Sequence, residues 1–219
     1  MISATFLDRM GTDLMVVNCA RVSLAKKSLE MCEADERLIA FLAREGHVLP
    51  FAHPQVQMHL KAPLFVARQM WKSHIGAVGG DAGYAQWNEV SRRYVDEKPE
   101  FYIPEGWRGR APSVKQGSTE EIVMTEAEID LKGYCSDIAA QYQTMLERGI
   151  APEMARMILP QNMVVEWIWT GSLLFFSRVV GLRDEKTAQK ESQILAQQIS
   201  AIMEGIFPIS WKALRGEQE

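Results

Sequence analysis

Two stretches of the chain switch the hydrophobic period from helical to alternating, and that switch limits the fold more than any other feature. From 55 to 60, Val56, Met58 and Leu60 alternate with Gln55, Gln57 and His59, the pattern of a strand with one face buried and one wet. Val164, Val165, Trp167 and Trp169 form a β-rich apolar run that reads as a buried strand. Helical spacing fills most of the rest. It predicts helices over 12–20, capped by Thr12 or Asp13, and over 33–45, stopped by Gly46. Pro63 opens another, running to about Lys72, and Thr170-Gly171-Ser172 turns and caps a further one over 173–180. The stretch 119–148, with Ile122, Ile129, Leu131, Ile138, Tyr142, Met145 and Leu146, reads as a single helix ended by Gly149. Pro152 restarts a short helix, and 185–203 is the last strong one. The expected architecture is α+β, a single helix-rich domain with a small central sheet, because no repeat or linker divides the chain's 219 residues into two cores.

Charge and cysteine usage narrow the function class. Lys+Arg 24 against Asp+Glu 28 gives a net charge of −4, which lacks the basic excess of a protein that binds a nucleic acid polymer. Any anionic ligand must then be met by a local cluster. Cys19, Cys32 and Cys135 are odd in number and widely spaced, which suits reduced thiols and offers no CxxC or paired Cys/His spacing for zinc, so no metal is expected. No charged stretch followed by an apolar run opens the chain, and the most apolar windows, 63–67 and 172–182, are far shorter than a bilayer span. The expectation is a protein without membrane contact in the cytoplasm, or in a host cytoplasm if the chain is viral.

Chemistry concentrates in Asn88-Glu89-Val90-Ser91-Arg92-Arg93-Tyr94, close in sequence to Arg68, Gln69, Lys72 and His74. Arginines beside a serine can hold a phosphate, and amide side chains can read a pyrimidine, although the same composition also describes a solvated loop. Trp71 and Trp87 could stack on a planar ring or simply pack. Four glycines within 76–83 fit neither a dinucleotide-binding turn nor a P-loop, and read as a lid loop. Ser91 lacks the GxSxG elbow and no cysteine sits in a catalytic signature, so protein-borne nucleophilic catalysis has no support. Arg156 and Arg183 stand at the edges of apolar helical stretches, where each either pairs with a carboxylate such as Asp184 or Glu185 or reaches an anion.

In order along the chain, Ala20-Arg21-Val22-Ser23, Gly46-His47, Pro50-Phe51-Ala52-His53, 61–69, Asn88 to Tyr94, Glu100 to Pro104, Ala155-Arg156, Leu159-Pro160, Trp169-Thr170, Leu182-Arg183 and Ala188-Gln189 with Glu191 resemble the flavin-dependent thymidylate synthases, the ThyX family. The resemblance covers nearly the whole chain. It implies a single domain over 1–219 that methylates dUMP to dTMP reductively, with methylenetetrahydrofolate as carbon donor, FAD as hydride carrier and NADPH as reductant. Alternatives are a diverged member making another 5-substituted deoxyuridylate, or a non-catalytic nucleotide-binding oligomer. By resemblance, Gln69, Lys72, Glu89, Val90, Ser91, Arg92, Arg93 and Arg156 bind dUMP, and Arg183 is the catalytic residue, its guanidinium stabilising the ionised pyrimidine. The matching FAD positions are Lys72, Ser73, His74, Asn88, Glu89, Ser172 and Arg178, with Ser23 and Leu49; His47, His53 and Tyr94 are folate or flavin neighbours. Where the family has Arg-His-Arg, seven residues and a serine, the chain has Lys72-Ser73-His74 and sixteen residues before Ser91. The excess is the glycine-rich segment, taken as an insertion loop at 76–87. Members of the family are homotetramers whose sites draw on several subunits, which is the assembly the resemblance implies here.

Overall fold

The alternating runs become the two middle strands of a four-stranded antiparallel sheet. In the computed structural model, which describes residues 1–73, 86–95, 97–112 and 117–216, strand β1 is Ser3–Met10, β2 is Gln55–Pro63, β3 is Gln86–Glu89 and β6 is Val164–Ser172. Their order in the sheet is β1-β2-β6-β3. Register places Met58 opposite Trp169 and Leu60 opposite Trp167, so the apolar residues of both strands share one face. Trp87, opposite Trp169, stacks on Trp167 with ring centroids 4.3 Å apart. The other face carries Gln57, His59 and Lys61 against Thr170, Ile168 and Glu166.

Helices cover the apolar face. α1 (Asp13–Arg21), α2 (Glu33–Arg44), α7 (Leu173–Arg183), α8 (Lys190–Ile206) and α9 (Pro208–Arg215) bring Val16, Val17, Ile39, Leu42, Phe175, Phe176, Val179, Leu195, Ile199, Met203 and Trp211 into one hydrophobic cluster with the sheet. Two strands run into helices without a loop. Pro63 ends β2, because proline has no N–H for the ladder, and stands as the extended N-cap of α3 (Leu64–Trp71). The first free N–H groups of α3 are taken by the Met163 and Gln161 carbonyls. At the end of β6, Ser172 caps α7 as expected, its hydroxyl accepting from the Phe175 N–H at 3.0 Å.

Several boundaries depart from expectation. The stretch 119–148 is not one helix: β4 (Gly106–Arg110) and β5 (Ser118–Thr125) form a hairpin, followed by α4 (Glu126–Ile129) and α5 (Leu131–Glu147), while the short helix expected from Pro152 is α6 (Pro152–Ala155). Thr125 starts α4 in a capping box with Glu128, and Asp130, at φ +50°, breaks the helix before α5. The helical spacing of Ile122 and Ile129 was therefore a coincidence of a strand followed by a turn. Thr170 and Gly171 still belong to β6, α7 runs on to Arg183, and α8 begins at Lys190 because 185–189 folds as a turn with Ala188 N–H on the Glu185 carbonyl. β1, β3, β4 and α9 carry no prediction from the sequence. His74 and the glycine-rich segment through residue 85 lie outside the described residues.

The β6–α7 corner depends on Gly171, where an added Cβ would sit 2.1 Å from Cδ1 of the fully buried Phe175 ring. That ring is locked edge-on between Trp169 and Phe176. Gly171→Ala is expected to cost about 1–3 kcal/mol by overpacking, a fall of roughly 2–12 °C in a thermal melt.

Candidate active site

Three clefts meet around α3 and form one continuous belt. The first, about 520 Å³, is bordered by Gln69, Lys72, Arg108, Leu182, Arg183 and the 185–189 turn. The second, about 480 Å³, lies between α3 and β3 and is bordered by Arg68, Trp71, Lys72, Trp87, Asn88 and Glu89. The third, about 790 Å³, holds Glu89 to Arg93, Lys98, Arg156, Met157 and Glu166. Lys72 belongs to the first two and Glu89 to the last two.

The first cleft is built where the C-terminal ends of α3 and α7 meet. Arg183 ends α7 and donates from Nε to Ser73 Oγ at 2.9 Å, while Asp184 accepts from Gln197 instead of pairing with it. Burial lowers the Arg183 pKa from its ordinary value; a guanidinium stays charged nonetheless. Gln69 is held at both ends of its amide, donating to Gln189 Oε1 at 2.6 Å and accepting from Ser192 Oγ at 3.0 Å.

A wall of the same cleft comes from the β4–β5 hairpin. Arg108 binds the buried Glu191 of α8 through both carboxylate oxygens, at 2.8 and 2.9 Å, and its Nε donates to Ser118. Burial alone would raise the Glu191 pKa, but the Arg108 guanidinium overrides it and holds the carboxyl below its usual value. The Tyr102 hydroxyl donates to the same carboxylate at 3.2 Å, and burial together with the Glu191 charge pushes its pKa up to about 12.

In the third cleft, the Val90 N–H is tied to the Glu166 carbonyl at 2.9 Å, and the turn closes through Tyr94 N–H on the Ser91 carbonyl. Ser91 Oγ accepts from the backbone N–H and Nε of Arg93, whose guanidinium lies 5.0 Å from the Tyr94 ring centroid. Arg92 donates to the Glu97 carbonyl. Desolvation raises the Glu89 carboxyl pKa although the residue is exposed overall, opposed by the hydrogen bond from Trp87 and the Arg156 charge. Four cations, Arg92, Arg93, Lys98 and Arg156, thus border one cavity.

Comparison with known proteins settles the family. Residues 5–209 match the family described as Thymidylate synthase complementing protein. The chain is 36% identical over 207 residues to the flavin-dependent thymidylate synthase of Thermus thermophilus, covering 94% of this chain and 73% of that one. The chain belongs to the flavin-dependent thymidylate synthases. The enzyme of the same name from Thermosipho africanus is 34% identical over 210 residues, with 94% of this chain and 88% of that one covered. The fold agrees as well: the crystal structure of a UMP/dUMP methylase, PolB from Streptomyces cacaoi, bound with 5-Br dUMP, superposes with a TM-score of 0.84 at 23% identity, covering 99% of this chain and 95% of that chain.

Within this member of the flavin-dependent synthases, the belt gathers Gln69, Lys72, Asn88, Glu89, Val90, Ser91, Arg92, Arg93, Arg156 and Arg183. Two serines matched to FAD are hydrogen-bonded within the chain. Ser172 is buried with its oxygen on the α7 N-terminus, and Ser73 is buried with its oxygen on Arg183. Ser23, Leu49, His47 and Arg178 are exposed and border none of the three clefts, while His53 borders a separate, mostly apolar cleft beside Cys19. Tyr94 is exposed beneath Arg93. Reading the sequence missed Arg108, Tyr102 and Ser192, because 99–112 looked irregular and nothing local marks Arg108 as the partner of a residue 83 positions away.

Proposed function

We propose that the belt around α3 binds dUMP and carries its reductive methylation to dTMP, with methylenetetrahydrofolate as carbon donor and NADPH as the source of reducing equivalents. The observation that supports it is the convergence of both ends of a nucleotide site on one surface. Arg92, Arg93, Lys98 and Arg156 offer the third cleft to a phosphate, and Arg183 with Gln69 offers the first to a pyrimidine. Among the described residues, the second cleft suits a flavin: Trp71 and Trp87 meet edge to face at 5.4 Å and present aromatic surface, Asn88 supplies an amide, and Arg68 and Lys72 supply charge for a diphosphate. FAD, when bound, supplies the hydride. The protein's part is then to hold the nucleotide, to place a fixed positive charge against the pyrimidine so that its anionic form costs less, and to keep water from the reacting carbon. No nucleophilic side chain is required.

A homotetramer is part of the proposal, the FAD and folate contacts at Ser23, Leu49, His47, His53 and Arg178 being made by a neighbouring subunit. Support comes from apolar surface that one chain leaves exposed. Ile122, Val123 and Met124 on β5, with Ile129 and Tyr134 beside it, lie open to solvent, and so does Ile168 on the second face of the sheet. A single domain over 1–219 completes the reading; of the insertion loop expected at 76–87, Gln86 and Trp87 belong instead to β3, paired with β6, and the rest lies outside the described residues.

Anaerobic incubation with FAD, NADPH, dUMP and methylenetetrahydrofolate, followed by mass analysis of the nucleotide, tests the proposal. dTMP is expected; a hydroxymethylated nucleotide or unreacted dUMP overturns it. Arg156→Ala is expected to weaken dUMP binding roughly ten- to hundredfold, the usual worth of a charge-assisted hydrogen bond. A dUMP titration with unchanged affinity would remove Arg156 from the site.

A further inference from the structure

Lys72-Ser73-His74 differs from the family triplet at all three positions, and the Ser73 hydroxyl is bound on both sides within the protein. Its side chain is 4% exposed. The hydroxyl donates to the Gln69 carbonyl at 3.3 Å, one turn back along α3, and accepts the Arg183 Nε–H at 2.9 Å. Its single proton and one of its lone pairs are therefore committed. Gln69 is itself fixed by Gln189 and Ser192. The chain of contacts runs from α8 through α3 to the last residue of α7, and Arg183 is its free end on the cleft.

We propose that Ser73 is a positioning residue for Arg183. The inference rests on reading Arg183 as the group that meets the pyrimidine. An arginine at the end of a helix has four rotatable side-chain bonds, and an unanchored guanidinium samples many orientations. Anchoring Nε fixes the guanidinium plane and leaves both terminal nitrogens for a ligand. That is the geometry needed where a charge must already be in place when the ring ionises. Half-burial of Arg183 sharpens the dependence, since loss of the serine oxygen leaves its Nε–H without this partner at a partly desolvated position.

Ser73→Ala and Ser73→Thr, with Arg183→Ala and Arg183→Lys, separate the possibilities. Single-turnover dTMP formation with mass detection gives the rate, and a dUMP titration gives affinity. Ser73→Ala is expected to lower the rate roughly tenfold or more while dUMP affinity changes less than about threefold. Ser73→Thr, which keeps the hydroxyl, restores most of the rate. In the Arg183→Lys background, where no Nε–H on a planar fork remains, Ser73→Ala should cost nothing further. A wild-type rate in Ser73→Ala, with Arg183→Ala inactive, overturns the inference and leaves the proposed function standing. An equal loss in the lysine background also overturns it, because the serine would then act only on the packing of α3. A wild-type rate in Arg183→Ala removes the reading on which the inference rests.

Discussion

Arg183→Ala is expected to lower the rate of dTMP formation by about 10²–10³-fold, the usual effect of removing one preorganised charge from a developing anion, while leaving the protein folded. The asymmetry follows from where the residue sits. Arg183 is the last residue of α7, and its side chain is held by a hydrogen bond to Ser73, with no ion pair to Asp184. The helix behind it is anchored by Phe175, Phe176, Val179 and Val180, all fully buried, so its loss touches little of the core. A thermal melt within a few degrees of wild type is expected, since one hydrogen bond is worth only about 1 kcal/mol. Near-normal turnover would show that the charge is not spent on the pyrimidine. Collapse of the melt together with activity would show that Arg183 is structural.

The sequence carries this placement only in part. Alternation at Val56, Met58 and Leu60 found β2, and the run Val164 to Trp169 found β6, because a strand with one buried face writes its period into the chain. Pro63 and Ser172 likewise announce the helices that follow them. β4 and β5 stayed hidden because β5 is almost wholly exposed on this chain, so it has no buried face to write a period, and Ile122 happened to fall in step with the helix beyond it. The third cleft was legible from one segment, 88–94, since its residues are neighbours in sequence as well as in space. The first cleft was not. Gln69, Arg108, Arg183 and Gln189 are brought together by two strand-to-helix turns and a hairpin, and no local pattern records contacts made over that distance. Resemblance to a family named Gln69 and Arg183 but gave no role to Arg108, and its partner Glu191 entered only as one of the matching residues, with no partner assigned.

Arg108→Ala is expected to destabilise the fold by about 3–5 kcal/mol at neutral pH. Glu191 is 3% exposed, and without the guanidinium its carboxylate must set the Tyr102 and Gln189 side-chain hydrogen bonds and a backbone N–H against its burial. The pH dependence gives the cause away. In the wild type the Glu191 pKa lies below the usual 4.5, so the stability it contributes is fully present above that value and is lost as pH falls through the folded pKa. Removing Arg108 leaves burial, which raises the carboxyl. The variant is then penalised at pH above its raised pKa, where the unfolded chain is ionised and the buried group must be too, and the penalty fades on acidification. Thermal melts of wild type and variant should therefore differ by roughly 6 °C or more near pH 7 and draw together toward pH 4.5. The double variant Arg108→Ala, Glu191→Gln, which removes the buried charge, should recover much of the loss at neutral pH. A gap that stays constant with pH, or a double variant no better than the single one, would mean that Arg108 acts by packing the hairpin against α8 and not by its charge. Because Arg108 also borders the first cleft, the double variant carries a second reading: if it melts like wild type yet binds dUMP more weakly, the hairpin wall contributes to the ligand as well as to the fold.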